Sequence, residues 1–203
     1  LYWTTCVRVI ELVKGDETIP EELEELLDAL SDTYFLNLSV FQSLPDAWAI
    51  GQVFPVVPIH RLDEAPTRRA TLADITCDSD GKIIRFVDLQ NVASTLPVHP
   101  FDPDRPYYLG LFLVGAYQET LGDLHNLFGD THLVHVSVED DGQWSIHEVV
   151  EGDTVTEVLG YLQYEPRALY AAVRRDCERA VRDGRMTVAQ SRELLTTYDT
   201  GLS

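Results

Sequence analysis

Arg69-Ala70-Thr71-Leu72-Ala73-Asp74-Ile75-Thr76-Cys77 and Lys82-Ile83-Ile84-Arg85-Phe86-Val87-Asp88, separated by Asp78-Ser79-Asp80-Gly81, read as the two strands of a β-hairpin. Asp-Gly suits the positive φ angles of a tight hairpin turn, and the flanks are rich in Thr, Ile, Val and Phe. The same signal recurs at Asp141-Gly142, between Leu133–Glu139 and Gln143–Val149. Leu109–Tyr117 is continuously apolar, as expected of a strand covered on both faces. Short strands at this spacing predict a β-sandwich or barrel-like domain over residues 34–151.

Helical periods lie on either side. Thr18-Ile19-Pro20-Glu21 has the form of a capping box with proline in the first turn, where its missing N–H costs nothing. Leu23, Leu26, Leu27 and Leu30 then recur on one face, with Glu21, Glu22, Glu24, Glu25 and Asp28 on the other, a solvated acidic face. An earlier helix, Thr4–Val13, would stop at Lys14-Gly15. Beyond Gly152, Val155, Val158, Leu159 and Leu162 mark one stripe. Leu169, Ala172, Val173, Ala180 and Val181 mark a second, ending near Asp183-Gly184, and Thr187 with Gln190 opens a last helix. The expected class is therefore α+β: a central β-sandwich or barrel-like domain at 34–151, flanked by a helical segment at 1–33 and a C-terminal helical bundle at 152–203.

The 203 residues include 15 Lys+Arg against 34 Asp+Glu, a net charge of −19, and 45% are hydrophobic. That apolar share is enough for a core and argues against disorder. The acidity excludes a general nucleic-acid binder, which needs a basic face to neutralise phosphates. Cys6, Cys77 and Cys177 are too few and too widely spaced for a disulfide scaffold and fit a reducing compartment, so a cytoplasmic setting is expected. No basic stretch precedes an apolar run, and Pro106–Gln118, the longest uncharged run, is well short of the ~18–20 residues of a membrane helix. No membrane association is expected. Leu1 in place of an initiator Met points to a piece of a longer polypeptide.

Common chemical motifs are missing: there is no G-x-G-x-x-G, no G-x-x-x-x-G-K-[ST] and no H-E-x-x-H. Asp78-Ser79-Asp80-Gly81 fails as a calcium loop, because the twelfth position would be Val87 instead of a bidentate Glu. His132 and His135, three apart on a predicted strand, would point to opposite faces and cannot share a metal. Cys77-Asp78 lies where a strand runs into a turn. A neighbouring carboxylate keeps a thiol protonated, which suits proton donation better than nucleophilic attack. A small buried Cys beside a turn-forming Asp is the commoner reading of position alone. Gly115-Ala116-Tyr117 offers close backbone approach and a phenolic hydroxyl able to bond a phosphate oxygen, or simply a core aromatic at a strand end. His125-Asn126-Leu127-Phe128-Gly129-Asp130 reads as a polar and aromatic loop that turn chemistry explains equally well.

Taken together, FQSLPDAWAIGQVFPVVPI (Phe41–Ile59), RRATLADITCDSDGKI (Arg68–Ile83) and LVGAYQETLGDLHNLFGDTH (Leu113–His132) resemble, in this order, the C-terminal part of biosynthetic arginine decarboxylases. These belong to the pyridoxal-phosphate-dependent family that includes ornithine and diaminopimelate decarboxylases. The resemblance covers residues 34–203 well and the N-terminal helices more loosely. It implies a cofactor-binding α/β barrel elsewhere in the polypeptide, with residues 1–33 ending a helical insertion. Lys14 and Lys82, the only lysines, do not match the family's Schiff-base lysine, so this chain alone is expected to be inactive.

The resemblance also implies roles. Cys77 matches the cysteine that returns a proton to Cα, and Asp78 the carboxylate that receives the substrate's distal cation. Tyr117, with Gly115, matches the contact to the cofactor phosphate. His125 and Phe128 match a patch near the substrate, where relatives carry an aromatic in place of His125. Arginine as substrate, agmatine and CO₂ as products, a place in polyamine (spermidine) biosynthesis, a homodimer or higher homo-oligomer completing shared active sites, and a magnesium requirement are further expectations of this kind. The rival readings are a non-catalytic regulatory or assembly module and a decarboxylase of another amino acid.

Overall fold

The structure, a computed structural model, describes residues 1–13, 21–89 and 91–202. The expected capping box at Thr18–Glu21 and the stop at Lys14-Gly15 lie outside these residues, apart from the helical backbone at Glu21. The chain forms two compact units, Leu1–Gly122 and Asp123–Ser203.

The first unit begins with helices α1 (Tyr2–Val13) and α2 (Glu21–Ala29). Cys6 and Ile10, one turn apart, are the buried side of α1, and Leu23, Leu26 and Leu27 are the half-buried side of α2, as their spacing predicts. Strand β1 (Asp32–Phe35) follows, then two short helices, α3 (Val40–Ser43) and α4 (Pro45–Ala49), and strand β2 (Val56–Pro58). Strand β3 (Arg68–Ala73) is the centre of a four-stranded sheet. After it come β4 (Lys82–Ile83), β5 (Phe86–Val87), β6 (Val92–Ala93), β7 (Leu96–Val98), β8 (Leu109–Leu111) and helix α5 (Ala116–Leu121).

Along one edge β3 pairs in parallel with β1, Asp32 opposite Ala70 and Phe35 opposite Ala73. Along the other it pairs antiparallel with β7 at its start and β4 at its end. Ala70 and Leu72 alternate into the core and are fully buried, where they meet Val40, Phe86, Leu96 and Val98. Two-stranded ladders β2–β8 and β5–β6 complete the unit's pairing among the described residues.

Two expectations change here. The Arg69–Cys77 strand ends at Ala73; only Leu72–Ile83 and Ala73–Lys82 pair, and β5 leaves to join β6. Likewise Leu109–Tyr117 is a strand only as far as Leu111, with β2 as its partner. Leu113 takes φ 61° and is exposed, which breaks the extended run before α5 starts.

In the second unit, β9 (Leu133–Val138) and β10 (Trp144–Val150) form the hairpin read around Asp141-Gly142, with Gly142 at φ 81°. The register shifts between Ile146 and Glu148, leaving His147 as the extra residue of a bulge. By this register Val134, Val136 and Val138 share a face with Trp144, Ile146 and Val149, all exposed, while Ser137, Ser145, His135 and Glu148 take the other. Helices α6 (Val155–Tyr161), α7 (Pro166–Arg182) and α8 (Val188–Thr200) follow, with Cys177 and Ala180 buried from α7. Gly184, at φ 69°, ends α7 as expected, and Thr187 with Gln190 forms the predicted capping box of α8. A second box, Thr154 with Glu157, opens α6. The class is α+β, as predicted, but the described strands form separate small sheets with no closed barrel.

Candidate active site

Asp74 decides the geometry around Cys77. It is the first residue after β3 and is buried. Its Oδ2 accepts from the Val40 backbone N–H at 2.9 Å, at the start of α3. Its Oδ1 accepts from the Thr76 backbone N–H at 3.0 Å and the Thr76 hydroxyl at 2.8 Å. A buried carboxylate needs such donors, since an unsatisfied one is strongly disfavoured. The Asp74 N–H donates to the Gly81 carbonyl at 2.8 Å and closes the loop between them. A Cβ at Gly81 would fall on the Asp74 carboxylate, so the close approach requires glycine.

Within the loop the bonds advance two residues at a time. The Asp78 N–H donates to the Thr76 hydroxyl oxygen at 3.3 Å, and the Asp80 N–H donates to Asp78 Oδ1 at 2.9 Å. Cys77 and Asp78 are both exposed on this loop, whereas Cys6 and Cys177 are buried. Cys77 is thus neither at a strand end nor the small buried residue that position alone favours. One Asp78 carboxylate oxygen is engaged by the Asp80 amide, which orients the side chain while leaving the group exposed.

Gly115 and Tyr117 sit at the opening of α5, with Gly115 as its N-cap. Tyr117 is exposed, not a core aromatic. A Cβ on Gly115 would meet nothing within 4 Å, so open space lies beside that backbone. α5 is held by the buried Gln118: its Oε1 accepts from the Asp46 N–H at 3.1 Å, and its Nε2 donates to Asp46 Oδ2 at 2.5 Å. A Cβ at Gly122 would fall on the Gln42 carbonyl oxygen. The α3–α4 corner therefore supports both candidate segments, the Cys77 loop through Val40 and α5 through Asp46.

His125 belongs to the second unit. His125–Phe128 is a tight turn, with the Phe128 N–H donating to the His125 carbonyl at 3.2 Å and both Asn126 (φ 53°) and Leu127 (φ 64°) in the left-handed region. His132 precedes β9, and its Nδ1 accepts from the Gly152 N–H at 2.9 Å. His135 lies on β9, 3.4 Å from Glu148. Among the described residues, no three His, Cys, Asp or Glu side chains are grouped to hold a metal ion. None of the described helices is long and apolar enough to cross a membrane.

Reading by residue type missed Asp74, Gln118 and Asp46. Asp74, two residues before a Thr and seven before a Gly, carries a weak turn signal, but its burial has none.

The profile of the arginine decarboxylase C-terminal helical extension matches residues 155–203, the segment that holds α6, α7 and α8. The similarity runs through the whole chain, which corresponds to a C-terminal part of the biosynthetic arginine decarboxylases. It is 52% identical over 202 residues to the biosynthetic arginine decarboxylase of Nostoc sp. and 53% identical over 207 residues to that of Gloeobacter violaceus. In each case all of this chain matches, and it spans 30% and 32% of the relatives' lengths. Among solved structures, the biosynthetic arginine decarboxylase of Campylobacter jejuni superposes with a TM-score of 0.63 at 30% identity, covering 98% of this chain and 34% of that one.

Proposed function

We propose that the chain is the part of a pyridoxal-phosphate-dependent arginine decarboxylase that delivers a proton to the substrate and reads its guanidinium. The observation that carries this reading is the Cys77–Asp78 pair, held side by side in solvent on a loop tied to the buried Asp74. Similarity to about a third of each arginine decarboxylase, along the whole of this chain, supports the choice of substrate.

Asp78 presents a carboxylate to a planar, permanently charged guanidinium, which it can pair with in fork geometry. Cys77 Sγ holds the proton that passes to the substrate α-carbon once CO₂ has left, and solvent returns a proton to the thiolate. Bound pyridoxal phosphate supplies the electron sink for loss of CO₂. The residues present fit its phosphate end, since Tyr117 is exposed and the backbone at Gly115 is open to close approach. The reading includes a homodimer in which the exposed Cys77–Asp78 loop completes the partner's site, and a cytoplasmic setting.

The test grafts this chain into the Nostoc enzyme in place of its matching segment and measures CO₂ release from arginine. The graft should be active and the chain alone inactive. Cys77→Ala should lower kcat by about 10²-fold or more with KM little changed, the range for losing a positioned proton donor. Asp78→Ala should raise KM for arginine by about tenfold or more, as expected for a lost charged hydrogen bond. Wild-type kinetics in both variants would refute the site.

A further inference from the structure

We propose that Asp74 is the positioning residue of the site: it fixes the Cys77–Asp78 loop to the α3–α4 corner that also carries Tyr117. This inference rests on the reading above. Asp74 never touches the substrate in it; it acts through Thr76, Cys77 and Asp78.

Three observations converge. First, Asp74 is buried and acceptor-only, and its two oxygens divide their work. Oδ1 takes both donors of Thr76, inside the loop, and Oδ2 takes the Val40 amide, outside it. Second, the order passes on along the chain, because the Thr76 hydroxyl that donates to Asp74 also accepts from the amide of Asp78. The amide and the carboxylate of Asp78 are thus both tied, the latter to Asp80. Third, the corner that receives Oδ2 is the one to which Gln118 bonds from α5, next to Tyr117. A single carboxylate therefore couples the placement of thiol and anion to that of the phenol.

Acceptor chemistry makes the substitution specific. In Asp74→Asn the side chain keeps its shape, but an NH₂ group must face either the Val40 amide or the two Thr76 donors, so one tether is lost. Displacing a reacting group by about 1 Å costs on the order of 10²-fold in rate. Both members of the pair move together, so in the grafted enzyme Asp74→Asn should raise KM for arginine by about tenfold and also lower kcat, with kcat/KM down by about 10²-fold. A loss of folded protein alone would lower kcat and leave KM unchanged.

Thr76→Ser keeps the hydroxyl and should behave as the parent. Thr76→Val removes one donor to Asp74 Oδ1 but keeps the carboxylate and its Val40 tether, and should reproduce part of the Asp74→Asn effect, which keeps the test open if Asp74→Asn does not fold. A readout independent of catalysis comes from amide exchange on the full chain. In Asp74→Asn, protection at Val40 or at Thr76, whichever amide comes to face the NH₂ group, should fall by about tenfold or more while protection within α7 stays unchanged. Unchanged KM and unchanged protection at these two amides, in variants whose Cys77→Ala and Asp78→Ala counterparts are impaired, would overturn the role of Asp74 alone. Silent Cys77→Ala and Asp78→Ala variants would instead remove the reading on which it stands.

Discussion

Gly81 and Gly115 flank the two halves of the candidate site, and each is a glycine for a different reason. At Gly81 a methyl group would occupy the place of the Asp74 carboxylate. Gly81→Ala should destabilise the chain by about 1–3 kcal/mol, the usual cost of forcing an atom into a packed site. At Gly115 nothing stands within 4 Å of the same methyl group and φ is −103°, so the backbone does not require glycine either. Gly115→Ala should leave stability within about 0.5 kcal/mol. Urea unfolding of the two variants separates the cases, and equal losses would contradict the packing described around Asp74. Cys77, Asp78 and Tyr117 were legible as residue types able to do chemistry. Asp74 was not, because an Asp before a turn is ordinary, and only the folded chain shows that its carboxylate is enclosed.

Two helices of the second unit open with the same reciprocal cap, and one of them titrates. In α6 the Glu157 carboxyl lies below the ordinary value because the Thr154 backbone N–H, and then its hydroxyl, donate to it. A folded-state pKa lowered in this way contributes stability that is complete above the unfolded carboxylate value and is lost as pH falls through the folded one. In α8 the corresponding group is the neutral amide of Gln190. Acidification should therefore reduce the amide protection of Glu157, after correction for intrinsic exchange, and spare that of Gln190. A parallel loss at both would show that the box in α6 does not depend on the carboxylate.

At this scale periodicity served well where one face is apolar. The second hairpin came out within a residue of its limits, as did the end of α7 and the start of α8. The Leu109–Tyr117 run did not, because an unbroken apolar stretch has no phase and cannot announce the left-handed Leu113 that divides it. The α6 cap was missed although Thr and Glu stand at the right interval.

Over the whole molecule, long-range electrostatics are governed by a net charge of −19. Surplus charge of one sign opposes the compact state, and salt screens it over a Debye length that shrinks from about 30 Å at 0.01 M to about 10 Å at 0.1 M. Thermal unfolding should move to higher temperature across that range; a fall would mean that the ion pairs, such as Arg68–Asp32, outweigh the repulsion. The mixed α+β class was readable from composition and turn signals, while the division of the described strands into separate small sheets was not. Alternation tells which side of a strand is covered and is silent on which strands become neighbours, so β3 gathering three partners could not be foreseen.

His147 is an interpolated beat in the rhythm of β10. Were the ladder to run on regularly through it, Glu148 would swing to the oily flank of the ribbon and Val149 to the seryl one. Striking the imidazole-bearing position out entirely would instead leave Glu148, Val149 and Val150 opposite the same companions, whereas striking out Ile146 would drag the ring into the hydrocarbon row. The ribbon thus contains one place where the chain can be shortened without losing step.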